Sequence, residues 1–543
     1  MEWERLLSKD RFAGQGDKRE GTYKNDYDTI ICSTLFRRLQ DKAQVFPLEE
    51  DDYVRTRLTH SLEVSAIGKR LGELVFQQLK DQKRDRWFSC HWEKEFSDVL
   101  LCAGLVHDIG NPPFGHFGEY AVREWFQAHL GELRLGGKPV EELLSSWQIQ
   151  DLYHFEGNAQ SLRLLSRTPY LGKMEGFNLS FGVLAAIIKY PVSSKELAED
   201  AKGRYRKMGY NWAERDLFQE INAHTGMNGR RHPLSYLLEA ADDIAYRTSD
   251  LEDAMVKKVL NFSRIVGEME RYGQTVWDGV FCREAEGGEG CAEGVMGVKD
   301  AWGEMDERRG ECVGAAEVRD AWGEMDERGG ACVGAAEEGN ACSERVTKGE
   351  EERSRKVQVA RGVRACIDRL RQLYREEISA GGRKPELTAV QRWNQFMQEV
   401  MVKDAANGFV ANYDKIMAGT LEGDLFAGTV SGHIIQAISK LSEEFIYTSS
   451  VKIKTELFGR RVIESLLGQF MAGAVKYDTD EPATFIDKRS MDMISGFYKG
   501  MYHEQAKEKS EGDRLYLRIL MVTDYISGMT DNYAKRLYKE LFG

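Results

Sequence analysis

Proline is rare in this chain, 9 residues in 543, so little in the sequence interrupts helices. Sustained period-2 alternation between turn signals is missing as well, which argues against a β-sandwich or barrel. No apolar run reaches the roughly 18 to 20 residues of a membrane-spanning helix. The start, Met1-Glu2-Trp3-Glu4-Arg5, lacks the basic-then-apolar layout of a signal peptide. The 9 cysteines include no CxxC pair, and four of them (Cys291, Cys312, Cys332 and Cys342) share one unusual segment. An odd count without a pairing framework fits a reducing, cytoplasmic setting better than secretion. Basic excess is lacking too. The net charge of −13 disfavours general coating of polyanions but leaves room for a local basic pocket. What the sequence does have is apolar residues at helical spacing almost throughout, in a chain long enough to bury a large core. The expected fold class is all-α.

The most informative stretch runs from His107 to Glu119. The apolar run from Phe96 to Val106 predicts a buried helix that delivers an adjacent His107 and Asp108 at its end. Gly110 and Pro112-Pro113 then stop it. A second helix opens near His116 and carries Glu119 on the same face. Imidazole nitrogen with carboxylate oxygen suits Mn, Fe, Zn or Ni, and His116 with Glu119 has the residue types of a proton-transfer couple. A His-Asp dipeptide alone is more often just a hydrogen-bonded pair, so the rest of the chain has to decide.

A short helix is expected from about Asp28 to Leu39, followed by Gln44-Val45-Phe46-Pro47. From Leu58 a long amphipathic helix carries His60, which taken singly reads as a satisfied or exposed helix histidine. Another helix follows Tyr153 to Gln160, and one spans Phe181 to Tyr190. The polar stretch from Pro191 to Asp216, with Lys202, Arg204, Arg206 and Lys207, reads by itself as a solvated loop. From Pro233 to about Lys258 the pattern is a strong helix. Asp242, Tyr246 and Asp250 fall on it at i, i+4 and i+8, one polar stripe on an element otherwise fit for burial. Buried carboxylates are costly unless a metal or a hydrogen-bonding ligand satisfies them.

Residues 283 to 353 break the pattern. Val298 to Glu317 returns nearly unchanged at Val318 to Glu337, 20 residues on. Two copies are too few for a stacked solenoid, and the Gly- and Glu-rich composition cannot build a core. A tandem duplication in a mobile surface insertion is expected, with Trp302 and Trp322 as its only candidate partner contacts. Helical patterning resumes near Lys356. It continues through Trp393–Met401, His433–Ile446, Phe458–Met471 and Leu515–Leu541.

Four potential ligands thus stand in the order His60, His107-Asp108, Asp242. That order resembles the HD superfamily of metal-dependent phosphohydrolases. Seven segments make the likeness narrower: Gln44 to Pro47, Arg57 to Val64, His107 to His116, Phe155 to Gln160, Lys189 to Pro191, Glu239 to Tyr246, and Asp524 to Asp531. In this order they resemble the bacterial deoxyguanosine triphosphate triphosphohydrolases, across residues 1 to 260 and about 355 to 543.

The resemblance implies an HD-domain core over 1–282, the insertion over 283–353, and a C-terminal helical region over 354–543 that completes the pocket and an oligomer surface. It implies cleavage of dGTP or other dNTPs to deoxynucleoside and inorganic triphosphate, in control of dNTP pools. One divalent metal, Mn or Mg with Fe, Zn, Co or Ni as alternatives, would sit on His60, His107, Asp108 and Asp242. Asp243 is the alternative to Asp242, which is favoured because only it gives Tyr246 and Asp250 the i+4 and i+8 stripe. His116 and Glu119 take the catalytic roles. Arg57, Lys189, Tyr190 and Lys207, with Asn111 and Asn158, resemble phosphate contacts. Gln44, Tyr246 and Asp250 resemble the residues that enclose deoxyribose. Tyr447, Glu456 and Arg489 are carried over as guanine contacts. A homo-hexamer and a single-stranded DNA effector are further implied, and no membrane partner.

Two other readings are open on the sequence. A different HD phosphohydrolase, such as a cyclic-nucleotide phosphodiesterase or an alarmone hydrolase, would share H…HD…D but not the deoxyribose stripe or the His116/Glu119 pair. A nucleotide- or DNA-sensing assembly without turnover would not need the complete ligand and catalytic set found here.

Overall fold

The computed structural model describes residues 1–12, 22–48, 53–89, 92–168, 176–197, 207–281 and 343–543. Both repeat copies, with Trp302 and Trp322, and Lys202, Arg204 and Arg206 lie outside the described residues. The described chain is helical almost throughout. Its one β-ladder is a two-residue antiparallel pairing of Arg134–Leu135 with Lys138–Pro139. The all-α expectation holds. Among the described residues no helix is long and apolar enough to cross a membrane.

Two compact units make up the described chain. The smaller comprises 262–393 and 428–437. In it the Phe262–Phe281 and Ser343–Ser379 helices pair, with Phe262 and Tyr374 rings 4.4 Å apart and the Trp393 indole donating to the Cys366 carbonyl at 2.8 Å. The Ser343–Ser379 helix begins well before Lys356, where apolar periodicity first becomes readable.

The larger unit, 1–261, 394–427 and 438–543, holds every candidate site residue. Its site is built on three helices. Arg57–Asp81 starts at a capping box, in which Thr56 accepts from Thr59 N–H and Thr59 Oγ1 accepts from Thr56 N–H. Glu93–Val106 packs along it. The two backbones approach so closely that a Cβ at Gly104 would lie 2.6 Å from Ser65 Cα. Pro233–Val256 packs against both, with Pro233 at the first helical position, where its missing N–H costs nothing.

A second layer supports the opening of the His116–His129 helix. The Ser450–Lys476 and Glu511–Ser527 helices pack against each other, and Ser450–Lys476 also covers the His116–His129 helix. They bury Val122, Trp125, Phe126, Val462, Leu466, Phe470 and Leu520 in one core. At roughly 1.5–3 kcal/mol per large buried apolar side chain, this core anchors the His116–His129 helix to the C-terminal third of the chain.

Three expectations need correction. The short helix near Asp28 is two pieces, Tyr23–Cys32 and Thr34–Arg38, because the Ser33 hydroxyl accepts from Phe36 N–H at 3.1 Å and starts a new helix. The run from Leu515 to Leu541 is likewise two helices, Glu511–Ser527 and Asp531–Phe542, the second capped by Thr530. Part of the stretch read as a solvated loop is buried: Glu214 has no exposed surface and pairs with Arg163 at 2.9 Å.

Candidate metal centre and active site

Gly104 lets the helices of His60 and His107 meet. His107 Nδ1 lies 2.8 Å from the Gly104 carbonyl, which makes Nδ1 the donor and leaves Nε2 facing inward. His60 Nε2 is 3.0 Å from Asp242 Oδ1, and the two imidazoles stand edge to face with centroids 5.4 Å apart. Ligand atoms of His60, His107 and Asp242 all fall within 4.8 Å of one another. Asp108 Oδ1 lies 3.6 Å from His107 Nε2, while its carboxylate is held by the buried Arg57 guanidinium and by Asn111 Nδ2 at 2.6 Å.

These residues fit a divalent cation. The buried His107 Nε2 makes no hydrogen bond among the described residues. It stands 3.7 Å from Asp242 Oδ1, too far for a hydrogen bond. Burial works against protonating His107, but Asp108 and Asp242 outweigh it and raise its pKa to about 9. Burial likewise opposes ionisation of Asp242, yet both imidazoles hold its carboxyl well below the usual range. For Asp108, Arg57 overcomes burial and holds the pKa at about 2. Two imidazoles and the Asp242 carboxylate converge, donor types that suit a borderline divalent metal; Asp108 lies beside His107 but outside this cluster, held by Arg57 and Asn111. Asp243 points elsewhere, 3.8 Å from Arg247, and its burial raises the carboxyl to about 7.

One short loop away, His116 Nδ1 is 3.1 Å from Glu119 Oε2. Glu119 is buried, and its other oxygen accepts from Gly157 N–H at 2.8 Å. A Cβ at position 157 would sit 2.2 Å from Asn111 Oδ1 and 2.6 Å from Glu119 Oε1, so any other residue there would displace these two side chains. Burial would raise the Glu119 carboxyl, but His116, Lys207 and Arg123 lower it below the ordinary value. The imidazole itself is 68% exposed, so Glu119 holds it by Nδ1 while the rest of the ring faces solvent. Lys207 and Asn158 both donate to Glu156, at 2.9 and 3.0 Å. Arg123 joins them at 2.7 Å. Arg123 went unnoticed in the sequence, although it stands one turn after Glu119.

The stripe on the Pro233–Val256 helix faces the same centre. The Tyr246 ring lies edge-on to His60, centroids 6.5 Å apart. Tyr447 is also part of this group: its hydroxyl is 2.6 Å from Tyr246 Oη and donates to Asp250 at 3.3 Å. Asp250 is fully buried, and burial raises its carboxyl to about 8 against the pull of Arg247. Lys452, also unnoticed, lies 4.9 Å over the Tyr447 ring, 3.7 Å from Glu456, and donates to the Val45 carbonyl at 3.1 Å. It thereby ties Glu456 to the Gln44–Val45 segment. Lys189 pairs with Glu239 at 2.6 Å and lies 5.7 Å from the Tyr190 ring centroid. Arg489 is not brought to this group. It is 68% exposed on the Phe485–Met493 helix and pairs with Asp492 at 3.6 Å.

An HD-domain family profile matches residues 57–158, the span from Arg57 to Asn158 that supplies two of the three clustered ligands. A deoxyguanosinetriphosphate triphosphohydrolase-like protein of Listeria innocua is 35% identical over 552 aligned residues, covering 100% of both chains. The chain belongs to this family. It is an HD-superfamily phosphohydrolase, and an HD domain implies dependence on a divalent metal. A Pseudomonas aeruginosa protein of the same descriptive name is 27% identical across 100% of this chain and 99% of its own. The deoxyguanosinetriphosphate triphosphohydrolase of Yersinia enterocolitica is 34% identical over 283 residues, 48% of this chain and 55% of that one.

Proposed function

We propose that this HD phosphohydrolase cleaves dGTP, and other dNTPs with it, to deoxynucleoside and inorganic triphosphate, and so limits dNTP pools in the cytoplasm. The observation that carries the reading is the contact of the Tyr246 ring with the His60 imidazole. A sugar-selecting stripe is useful only if the scissile phosphate lies beside it. The names of the relatives in Listeria and Yersinia point the same way.

In this reading His60, His107, Asp108 and Asp242 would hold one divalent ion, Mn or Mg, which would supply Lewis acidity. Water adds to the α-phosphorus as the bond from phosphorus to O5′ breaks, and the proton that the water releases balances the one given to O5′, so that His116 ends the cycle reprotonated. The departing O5′ needs a proton. His116 is the group to give it, with Glu119 fixing the ring by Nδ1. Lys189, Tyr190, Lys207, Asn111 and Asn158 are the proposed phosphate contacts, and Arg57 acts on the phosphates or through Asp108. Gln44, Tyr246 and Asp250 enclose the deoxyribose. A 2′-hydroxyl would meet the Tyr246 ring, and Asp250 would lose its 3′-hydroxyl partner if the sugar moved away. Tyr447, Glu456 and Arg489 are the proposed guanine contacts. The three-part division at 282 and 353, a homo-hexamer and a single-stranded DNA effector belong to the same reading.

The test is product analysis of each dNTP and rNTP with Mn or Mg. The expected products are deoxynucleoside and inorganic triphosphate, from dNTPs only. Pyrophosphate with a monophosphate, or equal turnover of GTP and dGTP, would overturn the proposal.

A further inference from the structure

The segment Asp524 to Asp531 matches the family motif pattern, yet none of its residues enters the chemistry above. Its place in the fold shows what it does. Asp531 opens the last helix and is 2% exposed. One carboxylate oxygen accepts from Phe114 N–H at 2.9 Å and the other from Ala43 N–H at 3.0 Å. Next to Ala43, Lys42 is also 2% exposed. Its ammonium donates to the Asn111 carbonyl at 2.5 Å and to the Ser527 carbonyl at 2.7 Å. The Lys42 carbonyl in turn accepts from Arg57 N–H at 2.9 Å, at the start of the helix that bears His60. Two buried polar side chains, Lys42 and Asp531, therefore bind the two ends of the loop Asn111–Phe114. Both also bind the 42–43 segment or the C-terminal helices.

That loop lies between the two halves of the proposed chemistry. At its start, Asn111 Nδ2 donates to the Asp108 carboxylate at 2.6 Å. At its end, Phe114 and Gly115 adopt left-handed backbone at φ 65° and 63°, immediately before His116 opens its helix. Such a conformation is unfavourable in a bulky residue and persists only where its surroundings impose it. The Asp531 bond to Phe114 N–H is one restraint. Packing of the Phe114 ring against Gly459 is the other, since a Cβ there would lie 2.6 Å from Phe114 Cγ.

We propose that Lys42 and Asp531 are positioning residues, which fix the Asn111–Phe114 loop so that Asp108 faces the metal ligands while His116 faces the substrate. They do this from the far side of the loop. The C-terminal Asp524–Asp531 motif is thereby a structural part of the active site without touching substrate. Only the kinetic readout rests on the triphosphohydrolase reading.

The experiment compares the full-length protein with Lys42→Met, Asp531→Ala and the near-isosteric Asp531→Asn. Asn532→Ala, on the helix that Asp531 opens, is the control; it removes a hydrogen bond to the half-buried Asp41. Three quantities are measured: dGTP turnover, Mn2+ binding without nucleotide, and hydrogen exchange over 107–119. In folded variants kcat should fall on the order of 10²-fold, the cost of misplacing a reacting group by about 1 Å, with KM changed less than threefold. Mn2+ affinity should fall roughly 10- to 100-fold, as when other groups that orient a ligand are removed. Faster exchange should be confined to the loop, and Asn532→Ala should behave as wild type. Unchanged exchange and Mn2+ affinity in a folded variant would overturn the proposal. So would a loss of activity that merely follows global unfolding. Should wild type cleave no dNTP, the function falls and the positioning roles are decided by exchange and Mn2+ binding alone.

Discussion

Replacing Gly104 with alanine tests whether the close approach of two helices creates the metal centre. A Cβ at 104 would lie 2.6 Å from Ser65 Cα, 2.7 Å from Ser65 N and 3.1 Å from the Val64 carbonyl carbon. All three are backbone atoms in mid-helix, so no rotamer change relieves the overlap. Ordinary contact begins near 3.4 Å, and the helices must separate by roughly 0.8 Å. His107, one turn on, would move with its helix away from His60. Alanine gains about 1 kcal/mol in helix propensity, while overpacking costs about 1–3 kcal/mol, so net stability should fall by up to about 2 kcal/mol. The loss of Mn2+ affinity and turnover should be larger, about 10²-fold, since ligand geometry is disturbed directly. Gly68 provides the control on the facing helix. A Cβ there would lie 3.5–3.7 Å from Leu100 and Ala241, in ordinary contact, so Gly68→Ala should be neutral or stabilising by up to about 1 kcal/mol. Thermal unfolding and Mn2+ titration read both variants. If Gly104→Ala binds Mn2+ as wild type does, helix spacing does not set the site and the reasoning fails.

Asp242→Asn should abolish Mn2+ binding while Asp243→Asn retains it, because only Asp242 faces both imidazoles; the reverse in a metal titration would move the ligand by one residue. His116→Ala should cut kcat about 10²-fold or more with Mn2+ still bound, and loss of the metal instead would make His116 a ligand. Tyr246→Ala should raise GTP cleavage relative to dGTP in a steady-state comparison, and an unchanged ratio would remove the sugar role. Burial raises the Asp250 carboxyl to about 8 in the fold, above its unfolded value. Its contribution to stability is therefore present below about pH 4 and lost as pH rises toward 8, at up to about 1.4 kcal/mol per pH unit. Asp250→Asn should flatten that part of the unfolding profile, and an identical slope would show that Asp250 is ionised in the fold.

Much of the site was legible because its chemistry is local. His107-Asp108 and the His116/Glu119 spacing are readable within one turn, and the stripe from Asp242 to Asp250 follows from helical periodicity alone. The sequence could also favour Asp242 over Asp243, since the stripe depends on side-chain direction. The residues that hold these groups in place were less legible, because their partners are distant in the chain. Nothing near Lys42 announces a buried ammonium; its acceptors are backbone carbonyls at 111 and 527, which carry no residue-type signal. Tyr447 illustrates the opposite difficulty. Resemblance offered it as a base contact; its hydroxyl also meets Tyr246 and Asp250, and only packing of the π-helical turn Ser442–Ile446 near the Pro233–Val256 helix shows this.

Glycine makes the same point from the other side. Gly104 and Gly157 both lie within helices, where propensity alone would favour alanine. In the fold each marks a place where another group comes closer than a methyl allows: backbone at Ser65, side chains at Asn111 and Glu119. The clustered ligands and the His116/Glu119 pair thus depend on atoms that are absent from the side chains beside them. A motif search weighted toward reactive residues passes over such positions, whereas a volume argument finds them once the helices are packed.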